Sequence, residues 1–113
     1  MKPAELERLR GLALIVKDRD ISRLAAAERR VDEARGRLDA LDASIRDARE
    51  VSLADVDIAT RVAAERFCEA RLVLRPALLA SLAALQGDRD EALAAARRAF
   101  GRWSTLVRLT GQT

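Results

Sequence analysis

From Leu24 onward the apolar residues stand at Leu24, Ala27, Val31, Ala34, Leu38, Leu41, Ile45 and Ala48. The spacing alternates three and four without exception, which is a heptad seam: one narrow apolar stripe on a long helix that must face another helix. Upstream, Leu6, Leu9, Ala13 and Val16 keep the same rule. Joining the two blocks takes two successive steps of four, through Asp20. That extra step is a stutter, which locally relaxes a left-handed supercoil. It also places a charged residue on the stripe, inside the run Lys17, Asp18, Arg19, Asp20.

A second seam runs Cys68, Leu72, Arg75, Leu79, Leu82, Gln86, Arg89, Leu93, Ala96, Phe100, Trp103 and Val107. Between the seams, "REVSLADVDIAT" loses the phase. Ser52 with Asp55 resembles a capping box, and Asp57 is a second possible N-cap. The expected fold is therefore all-α, a single domain of two long helices forming an antiparallel coiled-coil hairpin. Helix one spans about 3–50, the turn about 50–57 and helix two about 57–110. Pro3 suits the first turn of helix one. Pro76 removes a ladder hydrogen bond and is expected to bend or break helix two. Gly11 and Gly36 each weaken helix one by up to ~1 kcal/mol relative to Ala.

Composition agrees. Half of the 113 residues are hydrophobic, mostly Ala and Leu, and the aromatics are Phe67, Phe100 and Trp103 alone. Too few β-branched and aromatic residues are present for a sheet. The chain has no histidine and one cysteine, Cys68, so a Cys/His metal site and an intrachain disulfide are excluded. "GLALIV" is too short for a signal peptide or a membrane span, and the expected location is the cytoplasm.

In a hairpin, facing residues share a nearly constant index sum. A turn capped by Asp57 gives a sum near 109, and one capped by Ser52 a sum near 101. The first sets Asp20 opposite Arg89 with Gln86 beside it, a buried polar layer that would fix the register. Leu12, Leu14, Ile15, Leu53, Val73, Leu74, Leu106 and Leu109 lie off the seams and suggest docking surfaces near the ends. Each helix would be roughly 65–70 Å long at about 1.5 Å per residue. A rod of two such helices has no second layer, so its stability is expected to be marginal without a partner.

Net charge is +3 and unevenly placed. Residues 92–113 hold Arg97, Arg98, Arg102 and Arg108 with no acid, and residues 1–23 hold six Lys/Arg against four Asp/Glu. Residues 24–91 hold eleven Arg against fourteen acids. The end carrying both termini is thus basic. An ordinary charged surface is a better reading of it than a nucleic-acid site, because its arginines do not all share one face and acids remain at that end. Trp103 and Phe100 close the open end of the hairpin, and Trp103 is also a candidate partner anchor. Carboxylate pairs such as Glu28/Asp32 and Asp39/Asp42 lie on solvated helix faces, and a thin rod offers no pocket to perturb them. Cys68 sits on the seam with no histidine base. No enzyme, cofactor, metal or small-molecule substrate is expected.

Arg19-Asp20 leading into "SRLAAAERRVDEARGRLDAL", then "AERFCEARLVLRPALLASLAAL" and "DEALAAARRAFGRWSTLVRL", resembles the FliJ/YscO family of stalk proteins of flagellar and related type III export systems. The likeness is one of coiled-coil texture and element order over most of the chain. The chain is shorter than typical members, and Pro76 departs from their pattern. The resemblance implies a cytoplasmic stalk that inserts into the ring of the export ATPase and stimulates it, with further contacts to the export gate and substrate chaperones. The end with both termini, carrying Leu6, Leu9, Arg10, Phe100, Arg102, Trp103 and Arg108, would be the insertion point. The stutter at Asp20 would be a place where the rod untwists while being turned. Two alternatives stand beside this: a self-associating coiled coil whose hairpins pair into a four-helix bundle, and a nucleic-acid-binding hairpin.

Overall fold

A computed structural model describes residues 2–111 of the chain, and its first and last helical residues are Pro3 and Gly111. Two helices account for nearly all of it: α1, Pro3–Leu53, and α2, Ile58–Gly111. They form the antiparallel hairpin that the two seams require. The amides of Glu5 and Leu6 bond the carbonyl of Lys2, at 3.0 and 3.2 Å, so the first turn of α1 closes around Pro3, which has no amide to satisfy.

The turn is Asp57's. Its carboxylate accepts the amide of Thr60 at 2.7 Å and its carbonyl accepts the amide of Arg61 at 3.0 Å, which caps α2. Thr60, through its side chain first and its amide second, holds the Asp57 carboxyl below the ordinary carboxylate range. Ser52 takes no part in capping. It lies inside α1, its hydroxyl donating to the carbonyl of Arg49 at 2.9 Å. Helix α1 therefore continues to Leu53, and the connection narrows to residues 54–57.

Contacts divide the hairpin into two compact units. The turn unit is Arg30–Leu85; the terminal unit combines the residues up to Arg29 with those from Gln86 onward. In the turn unit, Leu41, Ile45, Ala48 and Cys68 form a buried cluster with Leu78 packed against it. Val31, Ala34, Leu38, Ile45 and Ala48 line the inner face of α1 in this unit, and Ala64, Cys68, Arg75, Leu78 and Leu82 that of α2. In the terminal unit the inner faces carry Leu6, Ala13, Val16, Asp20 and Leu24 on α1 and Arg89, Ala92, Ala96, Ala99 and Leu106 on α2. The side chains that meet across the helices, Asp42 with Arg75, Lys17 with Trp103 and Arg10 with Thr110, have index sums of 117, 120 and 120, above the expected 109 and farther still from 101.

Helix α2 runs through Pro76 without ending there. Pro76 and Leu72, whose carbonyl loses its i+4 donor, both lie at the surface, where water can satisfy the freed oxygen. The core itself is thin. Among the described residues ten apolar ones are buried, six of them Ala, and Val31 is the largest side chain that is fully enclosed. With roughly 1.5–3 kcal/mol from each fully buried large aliphatic side chain, Val31, Leu41 and Ile45 carry much of the packing energy.

Candidate partner-binding surface

In the terminal unit the two helices are closed by a cation over a ring. The Lys17 ammonium sits 4.1 Å from the centroid of the Trp103 ring, and only 15% of the Lys17 side chain is exposed. Trp103 is half-buried and also meets Phe100, with ring centroids 5.7 Å apart and planes tilted by 55°. Toward the chain ends, the Arg10 guanidinium donates to the Thr110 hydroxyl at 3.3 Å and lies 3.8 Å from Glu7.

These contacts locate the residues expected at the insertion point. Leu6, Arg10 and Trp103 are half-buried, whereas Leu9, Phe100, Arg102 and Arg108 are exposed. Phe100 was expected on the seam of α2, but it is 52% exposed and Ala99, at 3%, takes the buried place. Likewise Leu78 replaces Leu79, and Leu106 joins the seam it was expected to miss. Wherever two neighbouring positions are both apolar, the seven-residue spacing cannot choose between them. At Ala99 and Phe100 the smaller residue meets the partner helix.

Lys17, Leu14, Ile21 and Val107, which sequence reasoning left out of the site, complete this flank. Leu14 and Ile21 stand three residues before and four after Lys17, on the same face of α1, and are 39% and 44% exposed. Phe100 and Val107 hold the equivalent places around Trp103. The outcome is an apolar surface set around Lys17 and Arg10. Leu14 was recognisable as an off-seam residue, whereas Ile21 was not singled out; the Lys17–Trp103 contact is what marks this face.

The polar layer expected from Asp20, Gln86 and Arg89 does not form. Asp20 is buried, 6% exposed, yet its carboxylate is met from its own helix by Arg19 at 3.1 Å and Arg23 at 3.9 Å. Arg89 donates to Asp90, next to it, at 3.1 Å, and Gln86 is half-buried one turn away. Side chains lean toward the N-terminus of their own helix, so in an antiparallel pair those of α1 lean away from the turn and those of α2 toward it. Asp20 and Arg89 accordingly point past each other. Long side chains that do meet have larger sums, as Lys17 with Trp103 shows.

In the turn unit, Arg75 and Asp42 form a two-point bridge across the helices, Nε to Oδ1 at 2.9 Å and Nη2 to Oδ2 at 3.3 Å. The Arg75 guanidinium holds the Asp42 carboxyl below the ordinary carboxylate range. On the opposite flank a shallow apolar groove is lined by Ala48, Val51, Ala64 and Phe67, with Arg71 lying 4.8 Å from the Phe67 ring. Cys68 is a buried free thiol within the core cluster. Among the described residues no group of His, Cys, Asp or Glu side chains is arranged to hold a metal ion, and no helix is long and apolar enough to cross a membrane.

No protein-family model, curated protein or solved structure matches this chain.

Proposed function

We propose that this hairpin is a non-enzymatic, cytoplasmic coiled-coil stalk or adaptor of a flagellar-type protein export apparatus. Its terminal unit docks into the ring of the export ATPase and stimulates hydrolysis. The observation that carries the reading is the uncovered apolar flank around Lys17 and Trp103: Leu14, Ile21 and Phe100 are each about two-fifths to one-half exposed and stand beside two cations. An exposed aromatic and aliphatic surface of this kind suits a protein partner with apolar side chains. The heptad texture shared with FliJ/YscO stalks supports the particular partner, and the same resemblance brings in the export gate and substrate chaperones as further contacts.

Light scattering after size exclusion tests this, on the protein alone and mixed with the flagellar export ATPase of its own organism. The expected result is a monomer of 12.4 kDa that co-elutes with the ATPase and raises its hydrolysis rate. Phe100→Ala should weaken both effects about tenfold, as hot-spot aromatics do. A stable dimer indifferent to the ATPase would overturn the reading in favour of the self-associating bundle. Asp20→Leu probes the stutter separately, and unchanged export in that variant would remove any role for local untwisting.

A further inference from the structure

The terminal unit has a second flank, turned away from Lys17 and Trp103, of which the stalk reading uses only Arg102. On α1, Arg8, Leu12, Ile15 and Arg19 follow one another at steps of four, three and four, which sets them in one stripe. On α2, Arg98, Arg102, Thr105 and Leu109 do the same. Counted at about 100° per residue from the buried seam, both stripes fall on the same side of the hairpin. All eight residues are exposed. Leu12 at 60% and Ile15 at 66% are among the most exposed large apolar side chains of the unit, and Leu109 stands at 41%. Arg8, Arg98 and Arg102 form no ion pair among the described residues, while Arg19 is held to Asp20. The one carboxylate in line with the α1 stripe is Glu5, at its end.

We propose that this flank binds an anionic lipid surface, lying along the headgroup layer without crossing the bilayer. The argument rests on how the two kinds of side chain are mixed. Leu12 and Ile15 stand together between Arg8 and Arg19, and Leu109 lies beyond Arg102 and Thr105, so a small apolar strip is bounded by arginines. A headgroup layer accepts apolar side chains one at a time, while arginines keep their charge at phosphate level and lay their stems against the acyl boundary. A nucleic acid would satisfy the arginines, but no aromatic ring lies on this flank to stack a base, and Leu12 and Ile15 would stay in water. A second copy presenting the same flank would oppose arginine to arginine. The inference goes beyond the export reading and does not depend on it.

The test is flotation of the full chain with phosphatidylcholine vesicles, pure or containing about a quarter phosphatidylglycerol, at low and raised salt. Binding is expected to the anionic vesicles only, at least tenfold tighter than to the neutral ones and weakened by salt. Arg98→Gln and Arg102→Gln should each weaken it about fivefold, and Leu12→Ser with Ile15→Ser about tenfold or more. All these positions are exposed, so circular dichroism should show an unchanged helix content. Leu14→Ser with Ile21→Ser, on the other flank, should leave lipid binding as it is. Equal binding to both vesicles, or to neither, would overturn the proposal. So would full binding by the Leu12/Ile15 variant, which would reduce the effect to attraction between a basic protein and any polyanion. Capture of the export ATPase through Arg98 and Arg102, with no vesicle binding, would equally overturn it and leave the proposed stalk function standing.

Discussion

Lys17 of α1 and Trp103 of α2 are held face to face, ammonium over indole at 4.1 Å, with the lysine side chain largely withdrawn from water. A desolvated cation–π contact of this kind is worth about 1–2 kcal/mol, more than an exposed one. Trp103→Ala removes this contact and a half-buried indole, and should cost about 2 kcal/mol of unfolding free energy. Lys17→Gln should cost about 1 kcal/mol. A double-mutant cycle by urea denaturation should give a coupling energy near the Lys17 value; additive losses would mean that the two side chains act independently.

Asp42 and Arg75 give the turn unit its own acid sensitivity. The carboxyl is held below its ordinary range in the folded chain by the guanidinium, so its contribution is present above the unfolded value and is lost as pH falls through the folded one. Asp42→Asn should therefore be less stable than the parent at neutral pH. The difference between the two should begin to shrink near about pH 4 and vanish only below the lowered folded value. Thermal melts from pH 7 downward would show the curves converging; a constant gap would assign the effect to packing.

Ala99 and Phe100 exchange the roles that spacing gives them. Ala99 is buried, so Ala99→Leu overfills the seam and should cost about 1–3 kcal/mol. Phe100→Ala deletes a half-exposed ring and should cost about 1 kcal/mol or less. The opposite ranking in chemical denaturation would put Phe100 back on the seam.

Pro76 is carried inside α2 at a cost. The proline and Leu72 are both exposed, so Pro76→Ala restores a backbone hydrogen bond without removing a packed side chain. It should stabilise the protein by about 1–3 kcal/mol. A loss of stability on the same substitution would show that the helix needs the bend a proline imposes.

Asp57 and Ser52 were equal candidates for the cap. Asp57→Ala should lower the thermal midpoint by roughly a few degrees, whereas Asp57→Asn keeps an acceptor and most of the stability. Ser52→Ala should change little, since its hydroxyl only doubles a bond already made within α1.

The sequence by itself determined the two helices, their antiparallel return and the burial of Asp20 on the stripe. Those follow from local periodicity, because a side chain every three or four residues defines one face whatever lies opposite. The off-seam leucines at the terminal end were legible for the same reason. Tertiary structure alone decided which of two adjacent apolar residues enters the seam, as with Ala99 over Phe100. It also decided that Asp20 is met by Arg19 and Arg23 of its own helix while Arg89 turns to Asp90. The broad Ala/Leu face of α2 is compatible with several rotations about its axis, and the lean of side chains toward each helix N-terminus displaces the meeting partners from the backbone register. Neither effect is written in the spacing, because both depend on which residues the other helix brings to the layer.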